Sequence, residues 1–344
     1  MKRQPQMSKA STIMLVKNRA LGDSIMGLSA VQYLKLLYPE SNIIYAVPQW
    51  IAPLYDESGT AASKIYPLKL ATLKDILKLF KDIKALKIDH IHEMHQSGRG
   101  AKIFKAISFL LGIRYTAHNH HLKTETGVID QGKILPRIQR DLDGVFSLLG
   151  KGERPNYLNF TPQIAPKEKL EKVVPMVLMG VVATRATKMW PLENYLKLAA
   201  LIYKKSLKTV VVIPLSKNLA DKKIKEELYR IGLPDNVSIL DWDLDYLPTA
   251  FEQASFYIGN DTGLKHLAIA VGIKTYTFFG PEPANEWHPY DSKIHPYFYL
   301  EDLACRTRIH HYCGLSVCDL DEGFMHCLKF FTPEIVFTEI EKEL

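Results

Sequence analysis

The chain has 344 residues, 47% of them hydrophobic and 24% charged, which excludes a mostly disordered protein and exceeds one ordinary core, so two domains of similar size are expected. No apolar run reaches the ~18 to 20 residues that cross a bilayer, and residues 1–10 lead straight into a strand instead of a signal-peptide core; a cytoplasmic protein is expected. The formal charge of +7 is uneven, with 23 Lys and Arg against 13 Asp and Glu in residues 1–165 and 21 against 24 in the remainder, a field that either solvates a lysine-rich face or attracts a phosphorylated glycolipid, an anionic membrane surface or nucleic acid.

Thr12 to Val16 is a β-branched, apolar run that stops at the polar loop Lys17 to Gly22. Apolar residues then recur with helical spacing through Tyr38, and Pro39 ends the helix. Ile43 to Val47 reads as a buried strand, Leu73 to Leu86 as a lysine-studded helix, and Ile88 to His92 as a strand, with helices over Ala101 to Leu111 and Ile138 to Leu149. The polar, proline-bearing stretch Lys151 to Glu168 suits an interdomain linker. A second series follows, with strands at Met176 to Met179, Val210 to Pro214, Val237 to Leu240, Phe256 to Ile258 and Thr275 to Phe279, and a terminal helix from Pro333 to Leu344 that Thr332 can cap. Strands alternating with helices mean parallel sheets covered on both faces, so two doubly wound α/β domains are predicted over 1–160 and 161–330, with a terminal helix over 331–344. Such sheets bind ligands in loops beyond the carboxyl ends of their strands.

Three of those loops carry candidate chemistry. Asp23 follows the first strand at the start of a helix; a carboxylate there can take a proton from an attacking hydroxyl, and Asp equally serves as a helix cap. Asn260-Asp261-Thr262-Gly263-Leu264-Lys265-His266 follows a strand and opens an apolar helix, whose free N–H groups and the Thr262 hydroxyl can bind phosphate. His266 lies one turn into that helix, as a site residue or as a buried one bonding a neighbouring loop. Thr187 and Lys188, in the loop ending Trp190-Pro191, can hold a diphosphate from the opposite side or remain solvated. Neither loop is a Walker A sequence and no G-x-G-x-x-G opens either half, which disfavours a kinase or an NAD-dependent enzyme. No helix-turn-helix or aromatic RNA-binding motif accompanies the basic half, which argues against nucleic acid.

Cys305, Cys313, Cys318 and Cys327 crowd the tail with His310, His311 and His326 among them. Four soft ligands can bind zinc or iron, but there is no C-x-x-C pair, so they serve equally as small buried hydrophobes. His90, His92 and His95, and His118, His120 and His121, have no acidic or cysteine partner at motif spacing and are assigned no metal.

Taken together, Ala20-Leu21-Gly22-Asp23, Lys188-Met189-Trp190-Pro191, Asp261-Thr262-Gly263 with His266-Leu267-Ala268, Phe279-Gly280-Pro281 and the tail His326-Cys327-Leu328 resemble glycosyltransferase family 9, in that family's order from about residue 12 to 340. The resemblance implies a GT-B fold, two Rossmann-like domains facing a central cleft. It also implies an inverting heptosyltransferase that uses ADP-heptose as donor and the inner core of lipopolysaccharide as acceptor; no resident cofactor is expected. Some relatives hold an iron through cysteines. On this likeness Asp23 is the general base, and Thr187, Lys188, Asp261, Thr262, Gly263, Leu264 and His266 bind the donor. Arg19 and Arg99 contact the anionic glycolipid acceptor, in peripheral contact with the inner membrane. The sequence departs from the family at Pro214-Leu215-Ser216-Lys217-Asn218, where a glycine-rich, acid-containing loop usually holds the ribose, and at Ser29 and Lys265. Another nucleotide sugar, a protein acceptor, or a non-catalytic nucleotide-sugar binder are the alternatives.

Overall fold

The computed structural model describes residues 11–344 except 57–58, 97, 120, 125–126, 131–134, 308–312 and 314, and of 121–124 and 127–130 the backbone alone. The chain divides into two compact units, Met1–Ala165 and Pro166–Leu344. Among the described residues no helix is long and apolar enough to cross a membrane.

Unit 1 contains β1 (Thr12–Val16), α1 (Leu21–Leu37), β2 (Asn42–Pro48), β3 (Lys64–Leu68), α2 (Leu73–Ala85), β4 (His90–Met94), α3 (Gly98–Leu111), β5 (Arg114–His118), a hairpin of β6 (His121–Thr124) and β7 (Gly127–Asp130), and α4 (Arg137–Leu149). The main sheet is parallel, in the order β3-β2-β1-β4-β5. Its core joins Met14 and Val16 to Leu79 and Ile83 of α2 and Phe104 and Ile107 of α3, while α1 and α4 pack on each other. The apolar runs mark the central strands correctly, yet β4 starts two residues later than expected. Lys87 takes a φ of 52°, and Asp89 is used to dock the turn, its carboxylate accepting from the Thr12 N–H at 2.8 Å. The edge strands β3 and β5 escape the pattern: the first contains Pro67, tolerated because an edge leaves one side of the ladder free, and the second is largely polar.

Unit 2 contains β8 (Met176–Gly180), α5 (Leu192–Lys205), β9 (Val210–Pro214), α6 (Leu219–Ile231), β10 (Val237–Leu240), α7 (Leu247–Glu252), β11 (Phe256–Asn260), α8 (Gly263–Ala270), β12 (Lys274–Phe278), α9 (Ala284–Trp287), β13 (Tyr297–Phe298), α10 (His326–Lys329) and α11 (Pro333–Ile340). Its sheet is again parallel, in the order β10-β9-β8-β11-β12-β13. The Thr332 hydroxyl caps α11 by accepting from Ile335 N–H, and α11 lies on α5. At the centre Trp190, fully buried, stacks on Phe278 with centroids 4.3 Å apart, Phe278 stacks on Phe298 at 5.0 Å, and Tyr195 meets Trp190 edge-on at 4.8 Å. Trp190 Nε1 donates to Phe331 O at 2.8 Å, which ties the tail to this cluster.

In each sheet the winding reverses once, between β1 and β4 and between β8 and β11. Within each unit the loops leaving its two strands diverge, and it is at such reversal points that open α/β sheets bind ligands. Phe278→Ala removes the middle ring of the stack and is expected to cost about 3–5 kcal/mol in urea-induced unfolding, with Phe278→Leu substantially milder.

Candidate active site

In unit 2 the reversal point is organised by Asn260, the last residue of β11. Its Oδ1 accepts from Trp190 N–H at 2.9 Å and from the Tyr195 hydroxyl at 3.0 Å, and its Nδ2 donates to Val181 O at 2.8 Å. One buried amide therefore fixes the loop after β8 against the end of β11. The next residue, Asp261, is buried and takes Lys265 Nζ on one oxygen at 2.6 Å and Lys188 Nζ on the other at 3.1 Å. Lys265, fully buried at i+4 on α8, also donates to Trp287 O at 2.8 Å. Burial alone would raise the Asp261 carboxyl, but the Lys188 and Lys265 ammoniums override it and hold the group well below the usual carboxylate range. Burial pulls Lys265 down despite Asp261. Two cations around one anion leave a net positive site, and Lys188, with its side chain 16% exposed, is the accessible member.

Thr262 is the extended N-cap residue of α8, and its side chain makes no cap hydrogen bond. Thr262 Oγ1 and the neighbouring Tyr257 hydroxyl both lack well-formed hydrogen bonds. Thr262, Gly263 and Leu264 are half-buried, so the first turn of α8 offers free N–H groups, a hydroxyl and the helix dipole beside Lys188. His266 is different: its buried ring bonds the Tyr290 hydroxyl through Nδ1 at 2.6 Å, and burial, reinforced by Lys265, pushes its pKa well down. It is a neutral link to a neighbouring loop.

Thr187 does not join the phosphate-type groups. It is buried, and its hydroxyl donates to Leu315 O at 2.7 Å. The turn around it is clamped from several sides. A Cβ on Gly280 would lie 2.3 Å from Thr187 O, so this close approach requires glycine in Phe279-Gly280-Pro281. Arg185 pairs with Glu282, and Arg306 donates to Gly280 O at 2.7 Å while lying over the Tyr299 ring. The four cysteines, all free, line one cavity of about 50 Å³ together with Thr187, Met325 and His326. Among the described residues no three His, Cys, Asp or Glu side chains are arranged to hold a metal; His310 and His311 lie outside the described residues. Burial pushes the Cys327 thiol up to about 11, so it is a protonated, apolar wall.

In unit 1, Asp23 is the third residue of α1. The N-cap position belongs to Ala20 and no side chain caps the helix, so Asp23 does not serve as the cap. Its half-buried carboxylate makes no hydrogen bond or ion pair among the described residues. Arg19 lines an open groove of about 770 Å³ at the ends of β1, β2 and β3, with Asn18, Trp50 and Lys69. Trp50, 61% exposed, was not singled out by the sequence; an exposed Trp directly after a buried strand was the available signal. Arg99 is not among the groove residues, and donates to Ala71 O at 3.1 Å.

Beneath these loops runs a buried polar row. Lys17 Nζ pairs with Asp141 at 2.6 Å, His118 Nε2 lies 3.4 Å from Asp141, His92 Nε2 lies 2.9 Å from His118 Nδ1, and both His92 and His90 bond Thr116 Oγ1, at 2.8 and 2.6 Å. The sequence offers His90 and His92 no acidic or cysteine partner at motif spacing; their partners come from β5, and through His118 from α4. Gly144 of α4 makes room, since a Cβ there would sit 2.2 Å from the His118 ring.

Residues 76–312 match the profile of glycosyltransferase family 9 (heptosyltransferase). The chain belongs to glycosyltransferase family 9. It is 28% identical over 127 residues to lipooligosaccharide heptosyltransferase 2 of Campylobacter jejuni subsp. jejuni serotype O:6, a match spanning 36% of this chain and 38% of that relative. The solved ADP-heptose lps heptosyltransferase II of E. coli shares its fold over 96% of this chain and 98% of the other, with a TM-score of 0.73 at 18% identity. The family 9 glycosyl transferase from Veillonella parvula DSM 2008 does so over 98% of both chains, with a TM-score of 0.74 at 14% identity. The architecture is therefore GT-B, and this family 9 protein is a glycosyltransferase.

Two outcomes follow from the buried groups. Asn260→Asp keeps the shape but sets a carboxylate oxygen against Val181 O; a loss of about 1–3 kcal/mol in urea-induced unfolding is expected. Burial drives His92 and His266 well below 6.5 and holds His90 at about 4, His288 at about 3 and His295 at about 4. With folded pKa values depressed, the unfolded chain binds the extra protons, so their contribution is intact above about 6.5 and falls as pH drops toward 4, by up to about 1.4 kcal/mol per pH unit for each ring. The depressed Asp261 carboxyl contributes stability above about 4 and loses it only as pH falls through its own folded value. Thermal midpoints should thus decline between about pH 6.5 and 5, ahead of carboxylate titration; a flat profile there contradicts this account.

Proposed function

We propose that this glycosyltransferase moves heptose from ADP-heptose onto the lipopolysaccharide inner core with inversion at the anomeric carbon. The observation that carries the reading is the accessible ammonium of Lys188 beside the uncapped first turn of α8, with Thr262, where the loops after β8 and β11 part. That arrangement suits a diphosphate, whose leaving charge it would stabilise. Asp23, uncommitted at the start of α1, takes the proton from the acceptor hydroxyl. The hydroxyl oxygen forms the new bond to the anomeric carbon as the bond to the diphosphate breaks, and ADP departs against Lys188 and the N–H groups of Gly263 and Leu264. Asp261 has both oxygens paired to lysines, so its part is to hold Lys188 in place while sharing any contact with the donor sugar. Arg19, Lys69 and Trp50 suit a phosphorylated carbohydrate acceptor, through charge and ring stacking; Arg99 stands at a greater remove, tied to Ala71 O. The glycolipid acceptor calls for peripheral contact with an anionic membrane face.

A second reading keeps the reaction and changes the donor nucleotide. It rests on the 214–218 loop, where the Ser216 N–H and hydroxyl both donate to Asp221 Oδ2 at 2.7 Å and Asn218 caps α6. This closed turn differs from the glycine-rich ribose loop usual in the family. Thermal titration with ADP, UDP, GDP and CMP separates the two, since a ligand bound only by the folded state raises the midpoint. ADP alone should shift it; a selective shift with another nucleotide replaces the donor. Asp23→Asn should lower sugar transfer about 10²–10⁴-fold while leaving the nucleotide shift intact, and full transfer by that variant removes Asp23 as base.

A further inference from the structure

The outer surface of α2 and α3 is unlike the rest of unit 1. Leu73 and Leu77 on α2 are 71% and 54% exposed, and Phe109 and Leu110 at the end of α3 are 86% and 70% exposed. Between the helices runs an apolar groove of about 320 Å³ lined by Ile76, Leu77, Phe80, Ile103 and Leu110 and by the stem of Lys102. Large side chains left this bare on a soluble face mark an interaction surface.

Charge identifies the partner. The two helices carry Lys74, Lys78, Lys81, Lys84, Arg99, Lys102 and Lys105 against Asp75 and Asp82 alone. Both acids are already engaged, Asp75 in the capping box with Thr72 and Asp82 with Lys78 and the Tyr66 hydroxyl. A second copy presenting the same cationic face would be repelled, and a nucleic acid would leave Phe109 and Leu110 without apolar company. We infer that the α2–α3 face is a membrane-docking surface that lays Leu73, Leu77, Phe109 and Leu110 into the interface of an anionic lipid layer, with the lysines among the headgroups. Helices of 13 and 14 residues lie on such a layer and do not cross it. The surface deepens the glycolipid reading above and rests on it for its setting, since an acceptor anchored in lipid has to be met at the bilayer.

The test is cosedimentation of the full chain with phosphatidylcholine vesicles with and without phosphatidylglycerol, across a salt series. Binding should appear with phosphatidylglycerol, weaken by about tenfold or more without it, and fall as salt rises. Phe109→Ser with Leu110→Ser should abolish it at an unchanged thermal midpoint, and Lys102→Glu with Lys105→Glu should weaken it. The nucleotide-induced midpoint shift, measured on the same variants, stays intact if docking alone is lost; its absence in the wild type counts against the donor reading instead. The inference is overturned by indifference to phosphatidylglycerol or by undiminished binding of Phe109→Ser with Leu110→Ser. It is equally overturned by a wild-type dimer that this double variant dissociates, or by duplex DNA binding through the same lysines with vesicles ignored.

Discussion

Unit 2 depends on the amide of Asn260. Where a parallel sheet reverses its winding, two loops leave neighbouring strands in opposite directions and their backbone groups lose ladder partners. Buried, such groups are costly unless something else bonds them. Asn260 bonds both sides of the gap, accepting from Trp190 N–H and donating to Val181 O while holding the Tyr195 hydroxyl. The aromatic stack of Trp190, Phe278 and Phe298 then packs against a loop that has one position. Asp261 and Thr262 follow immediately in the chain, so their placement is inherited from that amide.

The two units handle buried charge in contrasting ways. In unit 1 the Lys17–Asp141 pair is neutral as a pair and sealed away, and removing either member would strand the other in a poor dielectric. In unit 2 one carboxylate serves two ammoniums, one fully buried and one reaching solvent. That group is net positive, which suits it to an anionic ligand. The tail reinforces the arrangement from behind: Thr187 is bonded to Leu315 O and packed under Gly280, which holds the turn that carries Lys188.

The alternation of apolar runs and amphipathic stretches made both parallel sheets legible, because central strands buried on two faces have nothing polar to disguise them. Edge strands were lost for the opposite reason: Pro67 in β3 and the polar run of β5 fit one-sided burial. Asp23, Lys188 and the Thr262 loop stood out because their positions after strands are local facts. The roles of Lys265, Asn260, His90, His92 and His118 were not readable, since each is decided by a partner 4 to 79 residues away that only the folded chain supplies. Thr187 looked like a phosphate ligand by type and neighbourhood; its hydroxyl is taken by a carbonyl 128 residues on.

The histidine row of unit 1 has a direction. Asp141 can only accept, so the His118 Nε2 that approaches it carries hydrogen, and with one hydrogen on each ring His118 Nδ1 receives from His92 Nε2–H. His92 Nδ1 then receives from the Thr116 hydroxyl, whose oxygen receives from His90 Nε2–H, leaving His90 Nδ1 as the bare end, and it has no partner. A single carboxylate on α4 thus dictates the tautomers of three rings on two strands, and all hydrogens in the row point the same way. Such a row cannot be edited at one position alone: exchange any acceptor for a donor and the order must reverse along its whole length or break.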